Sequence, residues 1–344
     1  MRLLSTLTNP RRLARLCGLA VVGFSMYLAL TAGVFSVSLV LLQQRITTDF
    51  PWISTVQTHI YFTGARKIWP AQAACVSFDE ELIYTPRIGS CHFDNPEFRT
   101  VQTFASDGRY TGPKPPGVGI AVVGDSYAMG WGVDDEETYG AVLQRLTGRP
   151  VFNLGVSSYG TVRELRLLDR SGLLGRVDTV ILEYCDNDLE ENLDFKPLSP
   201  DEARQKYERV RQAAATRKSA FGSLKYLKEG LLFTFWAPYN DLKASIVRRE
   251  LPSFASHYQP LISTLRQHDG LRDKRVVVFY INPNGRKFSA FPVGRDRQLP
   301  NVEFIDLSLG PADFFTIDDH LTSQGHDRVA RDLMNQLRQP PERR

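Results

Sequence analysis

No charged residue occurs between Leu16 and Leu42, and no acidic residue precedes that run. The missing charge excludes a solvated segment there, because a helix needs about 20 apolar residues to cross a bilayer and this stretch is longer. A cleaved signal peptide has a shorter apolar core and small residues at the cut. No convincing cut site follows here, so an uncleaved anchor fits better. Arg2, Arg11, Arg12 and Arg15 precede the run and few basic residues follow it. By the positive-inside rule, residues 1–15 are expected in the cytoplasm, 16–42 in the membrane, and the remainder outside, in a bacterium the periplasm.

Other absences narrow the remainder. Those four arginines account for the formal net charge of +4 over 344 residues, leaving a near-neutral body with no basic footprint for nucleic acid. There is no internal repeat and no low-complexity tract. The glycines from Gly124 to Gly132 are not followed by a Lys-Ser or Lys-Thr pair, which argues against a phosphate loop. Asp318, Asp319, His320 and His326 have no further ligand cluster beside them, so no metal is expected. No cofactor is expected either.

Cysteine is scarce, with four in the chain. Cys75 and Cys91 share one stretch on the expected exported side, where disulfides persist, and are expected to be bonded; two buried thiols are the alternative. Cys17 lies in the apolar run. Cys185 ends an apolar strand and reads as a free core thiol.

Residues 43–117 read as a lead-in segment. Pro51-Trp52 and Trp69-Pro70 suggest interfacial aromatics, Phe78 to Tyr110 has no helical period, and Gly112-Pro113-Lys114-Pro115-Pro116-Gly117 closes the stretch. From 118 the pattern alternates. Strands are predicted at 118–123, 151–154, 179–185, 276–281 and 302–305. Helices are predicted at 137–146, 161–168 and 323–337, the last capped by Ser323. Continuous apolar strands separated by helices predict an α/β protein, a three-layer α/β/α sandwich around a parallel sheet. Residues 190–252 interrupt the alternation with two helical patterns, 201–218 and 224–236. They read as an inserted helical cap over the active face, or else as an insertion packed elsewhere.

Ligands of open parallel sheets bind outside the carboxyl ends of the strands. Gly124-Asp125-Ser126 follows the first core strand, Gly155 to Gly160 the second, and Asp186-Asn187-Asp188 the third. Asp318-Asp319-His320 precedes the closing helix. A serine becomes a competent nucleophile when a histidine, oriented by a carboxylate, takes its proton.

In order, these blocks resemble those of the SGNH (GDSL) hydrolases: Gly124-Asp125-Ser126, Asn153-Leu154-Gly155 with its turn, Asn187, and Asp318-Asp319-His320. The resemblance covers about residues 118–338 apart from the insertion, and implies a flavodoxin-like sheet. It implies Ser126 as nucleophile, His320 as general base and Asp318 as the orienting acid, with Asp319 in reserve. It implies oxyanion donors from the Ser126 N–H, the Asn187 side chain and a second-block N–H. The family commonly has glycine at that last position; here Ser158 occupies it, with Gly160 close by. The expected activity is hydrolysis of an O-acyl ester, such as an O-acetyl group, on an acylated small molecule or glycan. Transfer of the acyl group to a sugar hydroxyl, and a non-catalytic glycan-binding scaffold, are the alternatives.

Overall fold

The structure is a computed structural model that describes residues 10–194, 197–246, 254–281 and 291–339. It divides into two units. The first comprises residues up to Ala65 together with Arg217–Arg248; the second comprises Arg66–Thr216 and Arg249 onward. The inserted segment is therefore shared between them.

The first unit is helical. α1 (Pro10–Gln43) is long and apolar enough to cross a membrane. α2 (Pro51–Ile60) follows, and α8 (Leu224–Ile246) comes from the insertion. Thr31, Val34, Phe35, Ser38 and Leu42 form the buried face of α1, and Phe35 meets Gly230 of α8.

The second unit holds a nine-stranded sheet. Its centre consists of β6 (Gly119–Val123), β7 (Val151–Asn153), β8 (Val177–Tyr184), β9 (Arg275–Tyr280) and β11 (Val302–Ile305). These five run parallel in the order β7-β6-β8-β9-β11. That is the flavodoxin-like order, whose switch point lies at the first and third core strands, here β6 and β8. The sheet is mixed rather than purely parallel. β10 (Gly294–Arg295) adds antiparallel at one edge, and β5 (Gly108–Arg109), β4 (Phe98–Ala105) and β3 (Gly89–Asn95) at the other.

Side-chain alternation along β6 produces three layers. Ala121 and Val123 pack with Leu165 and Leu168 of α5 (Thr161–Arg170) and with Leu261 and Leu265 of α9 (Ala255–Gln267). Ile120 and Val122 face the other way. They pack with Val142 and Leu143 of α4 (Tyr139–Thr147) and with Val329 and Leu333 of α10 (Ser323–Arg338). The cap of α10 is Thr322, not Ser323: the Thr322 hydroxyl accepts the Gly325 N–H at 3.2 Å. Ser323 has already entered the helix, one residue past the position where a side-chain oxygen reaches the orphan N–H groups.

Within the lead-in, Phe78 to Tyr110, read as having no helical period, is largely β-structure. In β4, Phe98, Thr100, Gln102 and Phe104 point inward while Arg99, Val101 and Ala105 are exposed. A hairpin, β1 (Val76–Asp79) with β2 (Ile83–Pro86), precedes it. Cys75 and Cys91 are joined, with their Cα atoms 5.4 Å apart and a sequence separation of 16. They lie in a third buried cluster with Trp69, Phe93 and Trp131. In the chain-entropy account a loop of this size is worth about 3 kcal/mol. Cys91→Ser paired with Cys75→Ser should lower unfolding stability by about that amount in denaturant titration, with an unchanged midpoint contradicting it.

Candidate active site

Ser126 opens a single helical turn, α3 (Ser126–Met129), directly after β6. Gly124 makes the turn possible. Its φ is +150°, and a Cβ there would lie 2.6 Å from the Ala128 Cβ and 2.8 Å from that of Glu183. Asp125 caps the turn by accepting the Tyr127 N–H at 2.9 Å. The Asp125 N–H is in turn accepted by a Glu183 carboxylate oxygen at 3.1 Å.

His320 reaches Ser126 across 194 positions of sequence, with Nε2 2.8 Å from Oγ. Its Nδ1 lies 2.5 Å from Asp318 Oδ1. The three side chains thus form a continuous relay, with the N–H on Nδ1 when the ring is neutral and Nε2 left to accept the Ser126 hydroxyl proton. All three are buried. Asp319 is a weaker partner at 3.4 Å.

Several residues that the sequence did not single out build this relay. Trp131 donates its indole N–H to Asp318 Oδ2 at 3.1 Å, occupying the acid's second oxygen. Tyr127 and Trp131 stack on the His320 ring, with centroids at 4.7 and 5.2 Å. The Tyr127 hydroxyl donates to the Asp319 carbonyl at 2.8 Å. Arg66 lies over Trp131 at 5.2 Å and 3.7 Å from Asp318. Glu97, in the β3–β4 turn, accepts the backbone N–H groups of Thr316, Ile317 and Asp318 at 2.9, 3.0 and 2.5 Å. One carboxylate thereby fixes the backbone that carries the acid. Burial, which outweighs those hydrogen bonds, pushes Glu97 up to about 7. The sequence signal available was Pro96-Glu97, a turn pair just after the alternation of Cys91, His92, Phe93 and Asp94.

Charge at the relay follows from this packing. Burial disfavours a charged imidazole, but the carboxylates of Asp318 and Asp319 prevail and push His320 up to about 9. Burial would likewise raise Asp319, yet its contact with His320 holds it below the usual carboxylate range. His326 behaves in the opposite way. Burial, together with the charges of Arg109 and His320, brings it down to about 3. It is a neutral acceptor for the Tyr139 N–H at 3.2 Å and takes no part in the relay.

The residues expected as oxyanion donors lie close by but are differently engaged. Asn187 follows β8. Its amide nitrogen is 3.2 Å from both Asp125 Oδ2 and the Tyr159 carbonyl, so both amide hydrogens point at protein acceptors. Ser158 is exposed and left-handed, with φ +64°. Arg163 holds it by donating to its carbonyl at 2.6 Å. Gly160 is packed against Glu191, whose Cδ would lie 2.8 Å from an added Cβ. Ser158, Gly160 and Asn187 line a cleft of about 410 Å³ with Arg163, Glu191 and Lys206. Lys206 belongs to α7 (Pro200–Ala220), so the first part of the insertion walls this cleft. Cys185 is buried and donates to Asp125 at 3.1 Å; burial and the surrounding carboxylates push its thiol up, making it a poor nucleophile.

The nucleophile turn leaves the first core strand, Asn187 leaves the third, and the histidine loop leads into the closing helix. The chain has a flavodoxin-like α/β/α fold with these groups at its strand ends. No family model and no curated protein matches the sequence. Solved structures similar to it include a lipolytic protein of the G-D-S-L family from Desulfitobacterium hafniense DCB-2. That match has 9% identity, covers 63% of this chain and 98% of that one, and has a TM-score of 0.34. An acetylxylan esterase from Geobacillus stearothermophilus matches at 15% identity, over 67% and 98%, with a TM-score of 0.32. A carbohydrate esterase family 2 enzyme with a carbohydrate-binding domain, from Corynascus thermopiles (Myceliophthora fergusii), matches at 13% identity, over 67% and 68%, with a TM-score of 0.34.

Proposed function

We propose that the protein is a membrane-anchored serine esterase that removes O-acyl groups, foremost O-acetyl, from a hydroxyl-rich extracytoplasmic substrate such as a glycan. The observation that carries this reading is the 2.8 Å contact between Ser126 Oγ and His320 Nε2, with Asp318 behind the ring. In the reaction Ser126 Oγ attacks the ester carbonyl while its proton passes to Nε2. The imidazolium then gives that proton to the departing alkoxide, leaving an acyl-serine. A water molecule, deprotonated by the same nitrogen, releases the acid and restores the serine. A half-turn of the Asn187 side chain away from Asp125 would free an N–H for the developing oxyanion, a contribution typically worth about 2.7–4 kcal/mol.

The cleft supports a glycan over a lipid ester. Its lining includes the exposed charged side chains of Glu190 and Lys206, which suit hydroxyl groups better than an acyl tail. The anchor reading is supported by α1: its buried face from Thr31 to Leu42 is part of the folded helical unit, which removal as a signal peptide would dismantle. The arginines before the span favour a cytoplasmic N-terminus.

Ser126→Ala should abolish turnover of a short-chain aryl ester and labelling by a fluorophosphonate, with the thermal transition retained. Unchanged turnover would refute the reading. Acyl transfer is the second reading, favoured by a serine and histidine only 8% and 5% exposed, since poor access for water prolongs an acyl-enzyme. Adding a glycan acceptor to enzyme and acyl donor should then divert product from free acid to acylated glycan.

A further inference from the structure

Among the described residues, three other than glycine have a positive φ. Two of them, Ile83 at +72° and Ser158 at +64°, line the same cleft beside Asn187. L-residues seldom adopt this conformation. It persists where the surroundings over-determine it, and it clusters at functional sites. The surroundings of Ser158 are specific, because a buried side chain holds each of the two carbonyls that flank it. The Tyr84 hydroxyl, from β2, donates to the Ser157 carbonyl at 2.7 Å. Arg163, from α5, donates to the Ser158 carbonyl at 2.6 Å and is paired with Glu191 of α6 (Asp188–Asp194). Tyr84 is fixed in turn. Tyr159 donates its hydroxyl to the Tyr84 carbonyl, and the two rings lie 5.5 Å apart. The Arg163 guanidinium lies over both, 4.6 Å from the Tyr159 ring and 6.0 Å from that of Tyr84. Burial pushes the Tyr84 phenol up to about 12, so its hydroxyl stays a donor across the range in which His320 titrates.

The Ser157 carbonyl and the Ser158 N–H belong to one peptide unit. That unit is trans, so the two groups point in opposite directions. With the carbonyl drawn to Tyr84, the N–H points away from the phenol, and among the described residues nothing accepts it. A flip of this peptide would turn φ of Ser158 from +64° to about −116°, in the β region that serine adopts freely. The N–H would turn about with it. Tyr84 thus holds the less favoured of two backbone states, and that state sets the direction of the N–H. The loop also shares a frame with the nucleophile turn, since the Val156 N–H donates to the Gly124 carbonyl at 3.1 Å.

We propose that Tyr84 is a positioning residue of the oxyanion hole: from a hairpin outside the core sheet, it aims the Ser158 N–H at the oxygen that becomes negative during acyl transfer. This rests on the esterase reading of the site. It also answers the presence of serine where the resemblance expects glycine. Glycine takes a positive φ without cost; serine needs an outside group to hold it there, and the hairpin supplies one.

The test measures the full chain on a short-chain aryl ester and on the matching thionoester, in which sulfur replaces the carbonyl oxygen and accepts hydrogen bonds poorly. In Tyr84→Phe, kcat for the ester should fall by about 10²-fold, the lower end for a lost oxyanion donor, with KM little changed. The ester-to-thionoester rate ratio should shrink by a similar factor, because sulfur gains little from the donor to begin with. The climb of kcat/KM with pH should keep its midpoint, since the relay is untouched. Adding Ser158→Gly to Tyr84→Phe should restore part of the loss. Ser158→Val, at an exposed position, should shrink the ratio with Tyr84 in place, and it decides the matter if Tyr84→Phe does not fold. A folded variant that loses rate equally on both substrates, or on neither, overturns the proposal while keeping the esterase. Absence of wild-type turnover of the oxygen ester overturns the esterase reading, and this proposal with it.

Discussion

Asp318→Asn should lower kcat for ester hydrolysis by about 10⁴-fold, as when the acid of a serine-histidine-acid triad is neutralised without loss of shape. Asn places a neutral amide where the ring now meets a carboxylate, so Nδ1 is no longer compelled to carry the hydrogen and Nε2 no longer to accept from Ser126. Trp131 can still donate to the amide oxygen, which keeps the pocket closed and makes kcat the parameter that moves. The pH profile gives an independent reading. His320 must be neutral to act as base, and the wild-type ring titrates at about 9 against an ordinary 6.5. Wild-type kcat/KM should therefore climb through pH 9, and the variant's residual activity should climb at lower pH, because the main source of the upward shift is gone. Stability responds oppositely. The folded state holds the His320 proton more tightly than the unfolded chain, so this group stabilises fully below pH 6.5, and that contribution fades as pH rises through 9. Asp318→Asn should flatten stability over that window. Stopped-assay rates and denaturant melts at several pH values check both; a wild-type profile flat from pH 6 to 10 contradicts the assignment.

The sequence made the core strands and the relay legible because both depend on local pattern. An apolar, β-branched run such as Ile120-Ala121-Val122-Val123, short and flanked by Gly119 and Gly124, reads as a strand buried on both faces, and its carboxyl end then locates Ser126. The pair Asp318 and His320, two apart and ahead of a capped helix, is also local. The relay's support is not local. Trp131 reads as one more core aromatic until its indole is found on Asp318, and Glu97 reads as a surface turn residue until the 316–318 backbone arrives above it from 219 positions away. The antiparallel edge strands were missed for a different reason. Their inward positions include Thr100 and Gln102, whose polarity blurs the alternation; Gln102 is buried because it accepts the Trp69 indole N–H at 2.8 Å. The division of the insertion was illegible altogether. Only contact with α1 and α2 explains why Gly230, Thr234 and Ala237 face inward while leucines face out.

Gly155→Ala should damage catalysis more than folding. Gly155 lies in the second block, where its N–H is accepted by Asn153 Oδ1 at 3.0 Å. A Cβ there would fall 2.2 Å from the Met129 nitrogen and 2.5 Å from the Ala128 carbonyl carbon. These are backbone atoms of α3, so no side chain can swing away; the nucleophile turn or the second-block loop must shift. Overpacking of this kind costs about 1–3 kcal/mol, which the surrounding core can absorb. Displacement of Ser126 by about 1 Å is less forgiving, since near-attack geometry lost at that scale lowers the rate by about 10²-fold. The control is Gly175→Ala, where nothing lies within 4 Å of an added Cβ. The expected result is a small fall in Tm for Gly155→Ala with a large fall in kcat and in fluorophosphonate labelling rate, and neither for Gly175→Ala. Full activity in a folded Gly155→Ala protein would mean that the close packing of these two blocks does not set the position of the serine.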